Sequence, residues 1–326
     1  MLFRTELHPK KPRFQISHSD KILSFGSCFA DCMGERFEHF QFDIQSNPFG
    51  VLYNPLSIFG NSENALKFNE LNFINIIESR ETFFNYQFHS QISGTSAEEL
   101  VEKTKQINRS VSERLSSTDY LFITLGTAFV YYLKGTTISV ANCHRKPADY
   151  FDKKMLSVEE IVSSFKQFYK QLNLQNPNCK ILITVSPVRH TKDTLELNAV
   201  SKAVLRLACH QITELESDNV AYFPAYEIMM DDLRDYRFYK EDLIHPNQQA
   251  ETYIWEKFAE TYFSAETQNL NKEIGEIQTA LNHRAFNKDG QDHLSFLKKI
   301  EEKITQVSDK ISVFRLLEKM ALKLKV

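Results

Sequence analysis

Short apolar runs alternate along the chain with longer segments in which apolar positions recur every three or four residues. The runs ILSF (22–25), FDI (42–44), YLFITLG (120–126), KILITVS (180–186) and VAYFP (220–224) have the length and continuity of strands buried on both faces. Between them, Val158, Ile161, Val162, Phe165, Phe168, Tyr169 and Leu172 step along one helix face. Val200, Val204, Leu207, Ala208, Ile212 and Leu215 do the same on another, and CFADCMGERFEHF (28–40) and QQAETYIWEKFAETYF (248–263) also read as helices. Strands alternating with helices build βαβ units, and a parallel sheet needs helices over both of its faces. The predicted fold class is α/β, a doubly wound three-layer sandwich with a mainly parallel sheet. Residues 45–118 are rich in Asn, Ser and Phe and read as loops and excursions built over the strand ends.

From about residue 265 the pattern changes. Leu297, Ile300, Ile304, Val307 and Ile311 alternate threes and fours, and Phe314, Leu317, Ala321 and Leu324 continue the stripe with Lys and Glu between. The chain therefore divides into a main domain, 1–264, and a C-terminal helical hairpin or short coiled coil, 265–326. Asn287-Lys288-Asp289-Gly290 is the expected turn between its helices. Such a stripe needs a covering surface, either the main domain or a second copy of the chain, so a homo-oligomer through the C-terminal helices is one expectation.

Composition adds exclusions. With 42% apolar and 25% charged residues over 326 positions, the chain can bury a sizeable core. Thirty-nine Lys and Arg against 42 Asp and Glu leave no basic excess for a nucleic-acid partner. The stretch YLFITLGTAFVYYL (120–133) is too short to span a membrane, and MLFRTELHPKKPRF lacks the apolar core of a secretory signal, so a cytoplasmic location is expected. Cys28, Cys32, Cys143, Cys179 and Cys209 are odd in number and scattered, which favours reduced thiols over a disulfide framework. Cys28 and Cys32 stand at helical spacing rather than in a CxxC pattern, so no zinc site is expected.

Candidate chemistry gathers at two places. Ser27 follows the first strand and Gly26, directly before a helix, where an open parallel sheet presents ligands. It can cap that helix, or act as a nucleophile at the positive helix end with backbone N–H groups nearby. Asp242 and His245, in EDLIHPN after a helix-like AYEIMMDDLRDYR, stand three apart in a turn stiffened by Pro246. The carboxylate can hold the imidazole tautomer and leave the other ring nitrogen as a base; otherwise both are ordinary turn and helix-entry residues. Cys28 competes as a nucleophile, but one helical step rotates a side chain by about 100°, so Ser27 and Cys28 cannot both face one histidine. A small buried hydrophobe is its expected role. His89 and His144 are candidates to polarise a substrate group, or are hydrogen-bonded structural histidines. Arg189, His190 and Lys192 form a basic loop that either meets an anionic substrate or is simply solvated.

Taken together, a serine ending the first strand and DxxHP before the last helix of the domain resemble SGNH, or GDSL-type, hydrolases. GSCFA (26–30) spells the name motif of the GSCFA family, bacterial proteins placed in that class. The resemblance continues through NPFGVLYNP (47–55), FHS (88–90), LGTAFVYY (125–132), ANCH (141–144), SPVRHTKD (186–193), NAVSKAVLR (198–206) and YFPAYEIMMDDLRDYRFYKEDLIHPN (222–247). It implies Ser27 as nucleophile, His245 as general base and then acid, and Asp242 as its orienting group. It also implies Ser27 N–H as one oxyanion donor and Gly50 as the glycine of the second block. The third block of the class carries Gly-x-Asn where this chain has Gly126-Thr127-Ala128, so Thr127 or, preferred, Asn142 would have to replace the missing side-chain donor. Loss of such a donor typically costs about 10²–10³ in rate. The resemblance implies no metal or organic cofactor and a serine-dependent ester hydrolase or acyltransferase acting on an acyl ester, such as an acylated carbohydrate. A catalytically silent ligand-binding or scaffold protein on the same fold is the alternative.

Overall fold

Each of the five apolar runs forms a strand in the computed structural model, which describes residues 5–67, 75–216, 218–283 and 291–324. These are β1 (Lys21–Gly26), β2 (Asp43–Ser46), β3 (Tyr120–Leu125), β4 (Lys180–Val185) and β5 (Val220–Tyr222). They pair in parallel in the order β5-β4-β3-β1-β2. Thr124 lies opposite both Gly26 and Thr184, so β1, β3 and β4 finish side by side at their carboxyl ends.

Helices α1 (Cys28–His39), α2 (Pro55–Leu66), α3 (Ala97–Ser117), α4 (Val158–Gln175), α5 (Leu195–Leu215) and α6 (Gln248–Tyr262) sandwich this sheet. Successive strand residues point to opposite faces. Leu23, Phe25, Ile123 and Ile183 accordingly pack with Phe59, Leu100, Phe165 and Leu205 from α2 to α5. Ile22, Phe122 and Leu182 pack with Phe37 of α1 and Trp255 and Phe258 of α6. The doubly wound three-layer α/β architecture is thus present, with a parallel central sheet. No helix among the described residues is long and apolar enough to cross a membrane.

Three local expectations need correction. Residues 45–118 hold two full helices, α2 and α3, besides the antiparallel excursion Ile76–Ser79, Thr82–Asn85 and Ser93–Gly94. Capping explains both: Asn54 Oδ1 accepts the Ser57 N–H with Pro55 in the first turn, and Ser96 Oγ accepts the Glu99 N–H. Next, α5 buries Ser201, Lys202, Leu205, Ala208, Cys209 and Ile212, while Val200, Leu207 and Leu215 are exposed. Two overlapping apolar faces compete along that helix, and the one carrying the small residues fits against the sheet. Third, the helix-like stretch after β5 breaks into short turns, Ala225–Glu227, Ile228–Asp232 and Tyr236–Phe238.

The C-terminal helices α7 (Ala265–Asn282), α8 (Gln291–Ser308) and α9 (Phe314–Leu324) enclose a cluster of their own around Ile274, Ile277, Ile300, Ile304 and Leu316. The stripe does not run on in register past Ile311. The helix has already ended at Ser308, and α9 restarts with Leu316 and Met320 buried and Phe314 and Leu317 exposed. Arg315 Nη1 donates to Phe42 O at 3.3 Å and Gln278 Nε2 to His39 O at 3.1 Å, tying the tail to the end of α1. The expected turn Asn287-Lys288-Asp289-Gly290 lies outside the described residues.

Candidate active site

The bend that presents Ser27 depends on Gly26. Its φ is +147°, and a Cβ there would stand 2.3 Å from Thr124 O. Gly26 N–H donates to Asn47 Oδ1 at 2.7 Å, which anchors the bend to the loop after β2. Ser27 then caps α1, its Oγ accepting the Phe29 N–H at 3.3 Å. The same Oγ donates to Ser186 Oγ at 2.9 Å, and Ser27 is wholly buried. Ser186 leaves β4, its N–H donating to Leu125 O at 2.8 Å. The cap and a place at the carboxyl edge of the sheet therefore belong to one residue.

Asp242 and His245 form a pair. Asp242 Oδ2 meets His245 Nδ1 at 2.7 Å, while Oδ1 accepts the N–H groups of Ile244 at 2.8 Å and His245 at 3.0 Å. Those backbone N–H groups, with the imidazole, hold the Asp242 carboxyl down at about 2. The fold carries this turn to the exit of β4. Arg189 N–H donates to Ile244 O at 3.2 Å, Arg189 Nη1 to Leu243 O at 3.4 Å, and the guanidinium stacks 4.1 Å above the Tyr239 ring. Segment 186–189 thus contacts Ser27 at one end and the Asp242–His245 turn at the other. Arg189, an expected anion contact, has its guanidinium on this turn, and Lys192 is exposed.

A ring of side chains completes the edge. Cys28 is half-buried, not the buried hydrophobe expected, because its Sγ lies 3.6 Å from Tyr53 OH on the site side of α1. The Tyr53 ring meets His190 edge to face at 5.1 Å between centroids, and His190 Nε2 would stand 3.0 Å from a Cβ at Gly126. Lys202, wholly buried, donates from Nζ to Gly126 O at 2.8 Å and Ser186 O at 2.7 Å. Burial lowers its pKa to about 7. His190 is lowered to about 4, by burial first and then by the nearby Lys202 and His245. Lys202 escaped sequence reasoning, and its only signal is its place two positions before Val204, three before Leu205 and seven before Cys209 on the buried face of α5.

The remaining expected residues sit around this edge, engaged in internal bonds. Gly50 has φ +71°, close against His89 Cβ, and its N–H donates to Asn47 O at 2.7 Å within the NPFG turn. Thr127 Oγ1 shares a hydrogen bond with Ser201 Oγ at 3.1 Å and accepts the Phe129 N–H. Asn142 Oδ1 accepts the His144 N–H at 2.8 Å. His144 is buried, with Nδ1 3.0 Å from Ser90 Oγ, Nε2 2.9 Å from Asn85 O and its ring stacked on Phe84. His89 is half-buried and lies near Asp31, whose carboxyl is pushed up by burial against a hydrogen bond from Asn47. All five cysteines are free, and burial pushes the Cys32 thiol up to about 12.

The parallel sheet thus carries a serine at the end of its first strand and a carboxylate–imidazole pair before the last flanking helix. The chain belongs to the GSCFA family, whose sequence model matches residues 21–258. Residues 274–325 match the GSCFA domain protein, C-terminal domain. Among solved structures, a carbohydrate esterase family 3 protein from Talaromyces cellulolyticus is similar at 12% identity and a TM-score of 0.36, over 78% of this chain and 99% of that one. An acetyl xylan esterase from the rumen bacterium Butyrivibrio proteoclasticus is similar at 11% identity and a TM-score of 0.36, over 80% of this chain and 66% of that one. No curated protein matches the chain.

Proposed function

We propose that the protein is a serine-dependent ester hydrolase or acyltransferase with Ser27 as nucleophile, His245 as base and Asp242 as the group that orients it. The observation that carries this reading is the 2.7 Å Asp242–His245 contact on a turn docked to the same β4 exit that bonds Ser27. With Nδ1–H held by the carboxylate, His245 Nε2 is the basic nitrogen. Ser27 Oγ gives its proton to that nitrogen and bonds the acyl carbon, the substrate's alcohol leaves with that proton, and the acyl group then passes to water or another hydroxyl as Ser27 regains its proton through His245. Attack requires the Ser27 hydroxyl to turn from Ser186 toward His245. Acyl esters of small alcohols and acylated carbohydrates are the substrates this chemistry fits.

A second reading, a silent binding protein, draws on one observation: Ser27 is wholly buried and its hydroxyl is satisfied by Ser186. A panel of acyl esters of graded chain length and of sugar acetates separates the two. The hydrolase reading expects turnover that Ser27→Ala abolishes. Equal, flat rates in both proteins across every ester would instead establish the silent one.

A further inference from the structure

We propose that His190, through Nε2–H, is the side-chain hydrogen-bond donor to the oxyanion formed when Ser27 adds to an ester carbonyl. This rests on the serine-hydrolase reading above. Buried polar atoms nearly always have a hydrogen-bond partner, and an orphan needs an explanation. His190 Nε2 is buried with none. It is not left there by a loose loop: the His190 N–H donates to Asn198 Oδ1 at 2.9 Å and the ring is braced by Tyr53. It packs against Gly126, where a Cβ would stand 3.0 Å from Nε2 and 3.1 Å from Tyr53 O, so the absence of a side chain at 126 is what lets the ring sit there.

The place is right for the reacting carbonyl. Gly126 directly follows β3, between Ser27 on the β1 side and Ser186 on the β4 side, and Ser186 accepts the Ser27 hydroxyl. Three of the alternative donors are committed elsewhere: Gly50 N–H is held by Asn47 O at 2.7 Å, Thr127 Oγ1 pairs with Ser201, and Ser27 N–H already reaches Thr124 O at 3.3 Å; Asn142 is tied to the His144 turn through its Oδ1. Burial and the neighbouring Lys202 also keep the imidazole neutral, so it carries a single N–H, which the donor role places on Nε2. A neutral imidazole polarising a carbonyl is established enzyme chemistry.

In the acylation step Ser27 Oγ forms a bond to the acyl carbon while its proton moves to His245 Nε2. The carbonyl π pair moves onto oxygen, which accepts the His190 Nε2–H bond. The pair then returns, the C–O bond to the alcohol breaks, and the alcohol leaves with the proton from His245.

The test compares wild type, His190→Leu, His190→Gln and Ser27→Ala with p-nitrophenyl acetate, reading kcat and KM separately, with circular dichroism to confirm folding. His190→Leu should lower kcat by about 10²–10³ with KM changed only a few-fold. His190→Gln, which restores an N–H donor, should recover part of that loss, whereas a packing role would be rescued by Leu and not by Gln. Phosphonylation of Ser27 by a fluorophosphonate should slow in the same order. His190→Leu at the wild-type kcat, or Leu and Gln equally impaired, overturns the donor role while an inactive Ser27→Ala leaves the hydrolase reading standing. A wild type that neither cleaves the ester nor takes the phosphonyl group overturns both.

Discussion

Ser27 is wholly buried and its hydroxyl and N–H reach Phe29, Ser186 and Thr124, whereas Asp242 and His245 stand on a turn open to solvent and bond mainly to each other. The first half of the site is made by the sheet. Gly26 bends because Thr124 leaves no room for a Cβ, and Lys202 ties the backbone after β3 to the backbone after β4. The second half is local, a carboxylate clamping three donors within four residues and latched to the sheet by Arg189. Position is therefore bought with fold stability in one half and with a few side-chain hydrogen bonds in the other. Substitutions in the open half should strike turnover alone, and those in the buried half should strike turnover and stability together.

The largest effect tests the open half. His245→Ala should lower turnover by about 10²–10⁴ with an unchanged thermal midpoint, and Asp242→Asn by less, because the nucleophile and oxyanion donors remain. The double variant Ser27→Ala/His245→Ala should be scarcely worse than either single one, since members of one catalytic unit are not additive. A His245→Ala protein that turns over at the wild-type rate, or one that unfolds, would break the comparison.

A pH signature sharpens it. Lys202 is lowered to about 7 in the fold, while the unfolded chain keeps that proton up to the ordinary lysine range. Between those limits the unfolded state binds more protons, so stability rises with pH. Urea midpoints should therefore show wild type gaining on Lys202→Met as pH climbs from about 7 toward 10, by up to one proton's worth of slope. Asp242 has the same sense in an acidic window: its folded pKa is depressed to about 2, so whatever it contributes is present above the ordinary carboxylate range and is lost as pH falls through about 2. A wild type and Lys202→Met pair that keeps a constant difference across the alkaline range would show that Lys202 stays charged in the fold.

The smallest effect belongs to the cap. Ser27→Ala removes the oxygen that accepts the Phe29 N–H and leaves Ser186 Oγ without the hydroxyl that bonds it, so it should cost about 1 kcal/mol of stability besides the loss of turnover. Thermal unfolding of the two proteins checks this, and equal midpoints would show that the buried half is not held by its serine.

The parts legible in the sequence are those where one physical demand dominates. The five strands are continuous apolar runs because both faces of the sheet are covered, and all five were readable. Asp242 and His245 were readable because their bond spans only three residues. Helix α3 was not, since Leu100, Val101, Val111 and Leu115 are thinly spread among charges, and the Ser96 cap gives meaning only once the helix is suspected. The buried face of α5 was misassigned because Val200, Leu207 and Leu215 offer an equally apolar face that the sheet does not cover. Lys202, and the buried place of His190, which read only as part of a basic loop, were hidden for a deeper reason. One satisfies carbonyls from two different strands and the other fills space above a third residue's missing Cβ, and both relations exist only after β1, β3 and β4 are in register.

The central claim is that Ser27, not Cys28 beside it, is the nucleophile, activated by His245. The most direct measurement is labelling of the full chain with a fluorophosphonate followed by peptide mass mapping. The account predicts a single phosphonyl adduct on Ser27 that forms far more slowly in His245→Ala and is kept in Cys28→Ala. An adduct on Cys28, no adduct on the folded wild type, or labelling of Ser27 at an undiminished rate in His245→Ala would contradict it.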